Sequence, residues 1–405
     1  MLSDLPRDLA EDVLVRLPMT SMRAVRLVCK NWNTLFKDES FTKHIVQTKA
    51  AAAAMDFLAV MVMNDRVYLM SVNLHGIDPS INHLGKLVSL TDSAQVDISV
   101  VYHCDGLLLC ITRDLTRFVV WNPYCGQTRW FEPISRQSWD IYAIGYENSK
   151  SCRSYKVLRF CELSSKDIRY ELYYINSKSP RDMTNPITIF PDWDIQFYAR
   201  GVSLKGNTYW FAQEMCLGGD KEEGKTRYQD FLISFDFAKE RFGPRLSLPF
   251  HSFMEETVTL SSVRDEQLAV LFQQDDTLHM EIWITTKIEP EAVSWSKKLL
   301  AVDMRPIYDF PIGDIAGSFF VDEEKKVAVV FDIDMRDTYT EMGSYAYIIG
   351  EDGYFKKVDL GEPSKEYSFP IMCSYVPGLV QIKRPARGSK RKRREKEKKQ
   401  IIEYL

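Results

Sequence analysis

The chain has 405 residues, of which 45% are hydrophobic, 27% charged and 12% aromatic, with a formal net charge of −4. Those fractions belong to a globular protein and exclude disorder of the whole chain. Eight cysteines, with no C-x-x-C pair and no N-x-[ST] sequon, exclude a disulfide scaffold and fit a reducing compartment.

Residues 1–46 read as a small all-helical module. Leu5-Pro6 opens it, and Leu9, Val13 and Leu17 recur every four residues, with Leu14 widening the stripe. Arg7, Asp8, Glu11, Asp12 and Arg16 take the other face. The pattern predicts an amphipathic helix begun near Pro6 and stopped at Leu17-Pro18. Thr20 or Ser21 can cap a second helix, with Met22, Val25, Leu27 and Val28 as its apolar positions. Trp32, Leu35 and Phe36 continue into a third helix or turn, with Phe41 and Ile45 beyond. A module this short is near the lower limit for a free-standing core, so part of its apolar surface needs a partner.

Leu5-Pro6, Leu9, Val13-Leu14, Leu17-Pro18, Ser21, Val28-Cys29-Lys30 and Trp32 resemble the F-box pattern in order and spacing. Val13 stands where Ile is commoner and Met22 where Leu is commoner, and both keep the apolar character. The resemblance implies docking on the Skp-type adaptor of a cullin-based ubiquitin ligase and, through it, on cullin and RING subunits. It makes Leu5, Pro6, Leu9, Val13, Leu14, Leu17, Pro18, Val28, Cys29 and Trp32 candidates for the adaptor surface. The competing role is holding the module together. That role suits Leu9, Val13 and Leu17, whereas Leu5, Pro6 and Pro18 sit at helix ends and favour an interface.

Residues 47–56 form a junction. The longest apolar stretch, 50–63, is broken by Asp56 and falls short of the ~20 residues of a membrane span. The polar, acidic start of the chain lacks an export signal.

From residue 57 to 382 the period changes to alternating, and the expectation is one large all-β domain. Apolar runs recur at 57–63, 67–72, 106–112, 118–121, 155–160, 170–175, 208–212 and 231–237, then at 267–272, 280–285, 326–331, 345–349 and 355–358. Turn signals such as Asp65-Arg66, Asp105-Gly106 and Lys205-Gly206-Asn207 separate them. Strands beginning near Leu107, Lys156, Asn207, Leu268 and Val327 define a repeat. A period near 50 residues with several strands each predicts a propeller of undetermined blade count, and a Greek-key sandwich is the alternative. His103-Cys-Asp-Gly-Leu-Leu, Trp121-Asn-Pro, Lys205-Gly-Asn-Thr-Tyr-Trp, Ile233-Ser-Phe-Asp-Phe-Ala-Lys-Glu-Arg-Phe and Met280-Glu-Ile-Trp-Ile-Thr resemble the F-box-associated domain of plant F-box proteins.

Several patterns imitate chemistry. Gly219 to Thr226 satisfies the P-loop spacing, but a strand follows it where a helix is required, and Asp220, Glu222 and Glu223 would face the phosphates. It reads as a solvated inter-strand loop. The six histidines, His44, His75, His83, His103, His251 and His279, make no zinc spacing. Cys104 and Cys110 read as the two ends of one apolar strand, and Asp332 and Asp334 as strand-end residues rather than a catalytic dyad. No catalytic residue, cofactor or metal site is predicted. Target recognition is expected in the aromatic- and Arg-rich loops 131–142, 191–200 and 304–311. These carry Trp139, Tyr142, Trp193, Phe197, Tyr198, Arg200, Arg305, Tyr308 and Phe310, residues that can equally fill blade cores.

Residues 383–405 are a basic tail. Residues 383–399 hold 11 Lys or Arg and two Glu, a net of +9, which leaves −13 on the rest. Lys390, Arg391, Lys392, Arg393 and Arg394 form a nuclear-import candidate, and a solubilising terminus is the alternative. No motif for reading nucleic-acid sequence accompanies them. The expected architecture is α+β multidomain: F-box module, propeller-like β domain and tail, located in the nucleus and/or cytoplasm. The expected function is non-catalytic substrate recognition for a ubiquitin ligase. The alternatives are a propeller hydrolase or sugar-binding protein, and an F-box scaffold outside any ligase.

Overall fold

The computed structural model describes residues 5–17, 25, 30–35, 38 and 41 of the helical module. In the β domain it describes 57–382 without 75–78, 88–95, 134–138, 149–152, 165–166, 177–182, 197–198, 215–219, 223–224, 228, 254–255, 306–311, 313–317, 335–342, 352, 362–370 and 379. The tail and the import candidate Lys390–Arg394 lie outside the described residues, as do Pro18, Val28 and Cys29.

Helix α1 (Arg7–Arg16) starts at Pro6 and ends at Leu17, as the two Leu-Pro pairs predict. Ala10 N–H donates to Pro6 O at 2.9 Å, closing the first turn. Helix α2 (Lys30–Leu35) follows.

Six four-strand blades make up the β domain. Blade 1 holds β1 (Phe57–Met63), β2 (Arg66–Asn73) and β3 (Ser80–Lys86). Blade 2 holds β4 (Ile98–Cys104), β5 (Leu107–Thr112), β6 (Phe118–Asn122) and β7 (Gln127–Phe131). Blade 3 holds β8 (Ile141–Asn148), β9 (Arg153–Ser164), β10 (Asp167–Tyr174) and β11 (Ile187–Ile189). In blade 4 the innermost strand is split into β12 (Trp193–Asp194) and β13 (Val202–Leu204), both pairing with β14 (Asn207–Glu214). A separate hairpin, β15 (Asp220–Glu222) and β16 (Lys225–Arg227), then precedes β17 (Asp230–Asp236) and β18 (Arg241–Phe242). Blade 5 holds β19 (Thr257–Val263), β20 (Gln267–Gln273), β21 (His279–Glu289) and β22 (Ala292–Asp303). Blade 6 holds β23 (Ser318–Asp322), β24 (Val327–Asp334), β25 (Gly343–Gly350) and β26 (Phe355–Asp359). Last comes β27 (Ile371–Ser374), which pairs antiparallel with β1 and supplies blade 1 with its innermost strand. The ring is thus closed by strands from the two ends of the β domain, and each blade keeps only short edges.

The repeat is one unit longer than the sequence reading. Leu107, Lys156, Asn207, Leu268 and Val327 all lie on the second strand of a blade, and β1 is the sixth such strand. Its partner β27 is remote in sequence, which hides blade 1 from a search for adjacent strand pairs.

Alternate side chains of each middle strand enter two different cores. On β5, Leu107, Leu109 and Ile111 pack between blades 2 and 3, whereas Leu108 and Cys110 pack between blades 1 and 2. On β1, Ala59, Met61 and Met63 face blade 6 while Val60 and Val62 face blade 2. Burial on both faces is why these strands read as unbroken apolar runs. Six such cores, one per neighbouring pair of blades, hold the ring.

The chain enters each innermost strand from one face of the ring. That face therefore carries the loops between blades and the loops joining second to third strands. The other face carries the connections after the innermost strands and those before the outermost, several of them tight turns. Asp105-Gly106 and Lys205-Gly206 occupy two of these tight turns with positive φ throughout, the primed turns whose twist matches paired strands.

Candidate functional site

The helical module sits on the tight-turn face of blade 2. Ala10, Leu14, Trp32 and Phe41 are buried with Tyr124 and Cys125 from the turn between β6 and β7. Leu5, Val15, Leu17, Val25 and Leu35 pack round them, partly buried. Asn122 fixes this turn. Its Oδ1 accepts the Cys125 N–H at 2.9 Å, and its Nδ2 donates to Gly378 O at 3.0 Å and Val380 O at 2.9 Å. The segment after β27 thus straps the turn from one side while the helices cover it. Gly378 crosses Gly106 so closely that a Cβ on Gly378 would lie 2.2 Å from Asp105 O.

This seat divides the predicted adaptor residues. Leu14 (0% exposed) is consumed by the contact with blade 2, and Trp32 (5%) is largely so, with only an edge left toward the cleft between α1 and α2. Leu9 is 49% exposed, Pro6 is exposed and Val13 half-buried, leaving an apolar strip along the outside of α1. Leu9, given by the sequence both to the module's core and to the adaptor surface, points to solvent, and Leu14, given to the adaptor surface, points in. The signal sequence reasoning lacked was Tyr124-Cys125, an apolar pair in a turn where a hairpin needs none. An open cleft of about 620 Å³ between α1 and α2 is bordered by Leu5, Ala10, Trp32 and Leu35. Arg7 crosses its rim, paired with Glu11 and Asp38 at 2.7 Å each.

Among the described residues, 131–133 and 139–140 lie between blades 2 and 3 and 304–305 follow blade 5, on the face away from the helical module, whereas 191–200 runs from blade 3 into the split innermost strand of blade 4; 134–138, 197–198 and 306–311 lie outside the described residues. Trp139 is 51% exposed on that face, and Phe190, at the end of β11, is 75% exposed. Arg305 is exposed and its guanidinium pairs with Asp303, whose carboxyl it holds down to about 2. Tyr142 and Trp193 are buried in blade cores, and Arg200 reaches into the central channel. Phe197, Tyr198, Tyr308 and Phe310 lie outside the described residues.

The chemical look-alikes are dispersed. Part of the P-loop pattern is the hairpin β15–β16, a strand pair where the sequence reading had only a loop, with no helix following. Cys104 ends β4 and Cys110 lies inside β5, so they sit on paired strands, not on one strand, and both are buried. Asp332 and Asp334 end β24, past the last residue that pairs with the innermost strand β23. His103 is buried, its Nε2 accepts the Gly106 N–H at 3.0 Å, and burial lowers its pKa so that it stays neutral. Among the described residues no three His, Cys, Asp or Glu gather as a metal site, and no helix is long and apolar enough to cross a membrane.

Comparison with known proteins follows these boundaries. Residues 2–44 match the family model of the F-box domain, and residues 58–382 match that of the F-box associated beta propeller domain. The Arabidopsis thaliana F-box/kelch-repeat protein At3g16740 is 55% identical over 395 residues, covering 94% of this chain and 99% of that protein. The Arabidopsis thaliana F-box protein At3g17320 is 48% identical over 421 residues, with 94% and 99% coverage. A helical module seated on a six-bladed ring, matched over nearly its whole length, therefore belongs to the plant F-box proteins that carry an F-box associated β-propeller domain.

Proposed function

We propose that this protein is the substrate-recognition subunit of a Skp–cullin–F-box ubiquitin ligase. The F-box docks on a Skp-type adaptor, and through it on cullin and RING subunits, using Pro6, Leu9 and Val13 on the outer side of α1. The propeller holds a target protein on the opposite face. The chain itself contributes no bond-making group. It raises the effective concentration of the target beside a ubiquitin-loaded enzyme, which converts an encounter into a near-unimolecular step. The observation that carries this reading is the division of faces. The F-box occupies the turns of blade 2, and exposed Trp139 and Phe190 lie on loops at the other end of the channel. A hydrolase would need converging carboxylates, and the described residues lining the central cavity include no Asp or Glu.

The test is co-purification of the full chain with a plant Skp-type adaptor. Leu9→Asp is expected to weaken binding about 10-fold or more, since a Leu side chain contributes roughly 1.5–3 kcal/mol when buried at an interface. Its thermal midpoint should match wild type. Undiminished binding by folded Leu9→Asp protein would remove the adaptor surface from this side of α1. Residues 390–394 we take as an import signal that places the protein in the nucleus. A fluorescent fusion with those five residues changed to Ala should shift toward the cytoplasm, and an unchanged distribution would refute that assignment.

A further inference from the structure

The two faces of the ring differ in charge. Residues 57–382 carry 33 Lys or Arg and 46 Asp or Glu, a net of −13. The segments between blades and between second and third strands, at the strand ends away from the F-box, hold 11 and 20, a net of −9. The segments at the opposite strand ends hold 8 and 11, a net of −3. These counts are by sequence and include residues outside the described ones, Lys166 and Asp314 among them. The +9 tail departs from the F-box side, after Ile382, whose N–H donates to Gln127 Oε1 at 2.6 Å. The face read above as the target face is therefore the acidic one.

Blade 3 presents exposed aromatics there with acids between them. Trp139 precedes β8 and is 51% exposed, and Phe190 follows β11 and is 75% exposed. Three strand spacings separate them, roughly 14 Å, the span of about four extended residues. Between them stand Glu162, exposed near the end of β9, and Asp167, half-buried at the start of β10. Asp194 on β12 faces this rim from the next blade. Burial raises its carboxyl, and burial together with the charge of Asp194 raises that of Glu162. Carboxyls held up in this way gain when a cation is brought beside them. Asp140, next to Trp139, is already taken up by Arg159.

We propose that this rim takes a basic segment of the target: a Lys or Arg over Glu162 and Asp194, with apolar residues on either side against Trp139 and Phe190. The proposal rests on the reading of this face as the target face and adds the class of target. The acidic face steers such a segment in, and the two aromatics fix it.

A phage-displayed library of random dodecapeptides is selected against the full chain. Selection is repeated on the full chain with Lys390, Arg391, Lys392, Arg393 and Arg394 changed to Ala, so that acidic peptides held by the tail drop out. Enriched peptides are expected to be basic, with two apolar residues about four positions apart. Fluorescence anisotropy of one labelled, enriched peptide should show binding about 10-fold weaker to Phe190→Ser and to the Glu162→Gln/Asp194→Asn pair. Circular dichroism confirms that each variant is folded. Glu162→Lys with Asp194→Lys should turn the selection toward acidic peptides. Neutral or acidic enrichment on the tail variant, no enrichment over an unrelated protein, or a selected peptide that every variant binds equally would overturn the proposal. Adaptor binding is read in parallel. An adaptor complex without basic enrichment removes this proposal and leaves the ligase reading standing, and basic enrichment without adaptor binding does the reverse.

Discussion

Arg159 on β9 should be the most sensitive charged position in the ring. Its guanidinium is 2% exposed and binds Asp140 through Nε and Nη2, both at 2.9 Å, while Nη1 lies 3.4 Å from Glu171 Oε2. Asp140 and Glu171 are 4% and 2% exposed, and Tyr173 O–H donates to Glu171 at 2.7 Å. Burial alone would lower the Arg159 pKa, but the charge and hydrogen bonds of Asp140 and the charge of Glu171 reverse this and raise it. Arg159→Met leaves two carboxylates buried and uncompensated, a loss of about 3–5 kcal/mol. At ~2 cal/mol/K per residue, unfolding of the β domain carries ~0.7 kcal/mol/K, so the midpoint should fall by about 4–7 °C. Changing Asp140 to Asn and Glu171 to Gln in the same chain should recover most of that fall. Acid should help Arg159→Met as well. Orphaned carboxylates have folded pKa values above their unfolded ones, so their penalty is present at neutral pH and relieved as pH drops through the folded values. Circular dichroism melts at pH 7 and pH 5.5 measure both effects. A single variant melting within about 1 °C of wild type, or a triple variant no better than the single, would refute the reasoning.

Three further outcomes follow from the strap and the F-box seat. Gly378→Ala must push back Asp105 O and Gly106 Cα, and overpacking of that kind costs about 1–3 kcal/mol, read as a lowered denaturation midpoint. His103 is held below its ordinary pKa by burial, against the opposing charges of Asp265 and Asp105. The unfolded chain then takes up a proton near pH 6.5 that the folded chain refuses, so stability should fall as pH drops below about 6.5. His103→Gln, which keeps an acceptor for Gly106 N–H, should flatten the pH 5–6.5 part of that profile, and an unchanged slope would acquit the histidine. Tyr124→Ala removes the fully buried side chain under Leu14 and Trp32, at a cost of about 3–5 kcal/mol at that contact. Hydrogen exchange should speed up in α1 and α2 while the middle strands of the blades stay protected.

The sequence disclosed the ring unevenly, and burial explains where. Every run singled out before 355 is a second or third strand of a blade, and together they cover all six blades. Those strands are apolar on both faces. The innermost strands carry small and polar residues toward the channel, as Thr257–Val263 and Ile371–Ser374 do, and the outer ones alternate weakly. Ser80–Lys86 and Ile187–Ile189 are largely exposed and resemble loops. The closing strand could not be read at all, because its partner lies some 310 residues earlier and nothing local marks the pairing. Helix α1 was readable end to end, since Pro6 and Leu17-Pro18 are chemical boundaries. Which of its faces looks inward was not, because that depends on Tyr124, a residue more than 100 positions away.

The joint at Tyr124 bears on how a receptor of this kind can work. Proximity accelerates transfer only if the spacer between target and enzyme keeps its geometry, since a floppy link dilutes the effective concentration it creates. The F-box here is packed onto the propeller. Leu14, Trp32 and Phe41 enclose Tyr124 on a turn that Asn122 also ties to the strap behind β27. That strap continues directly from the strand that closes the ring. F-box orientation and ring closure therefore share the turn of blade 2, and loosening either contact should loosen the other. The loops proposed to meet a target are free of this constraint. They lie at the far end of the innermost strands, where sequence can change without disturbing the seat.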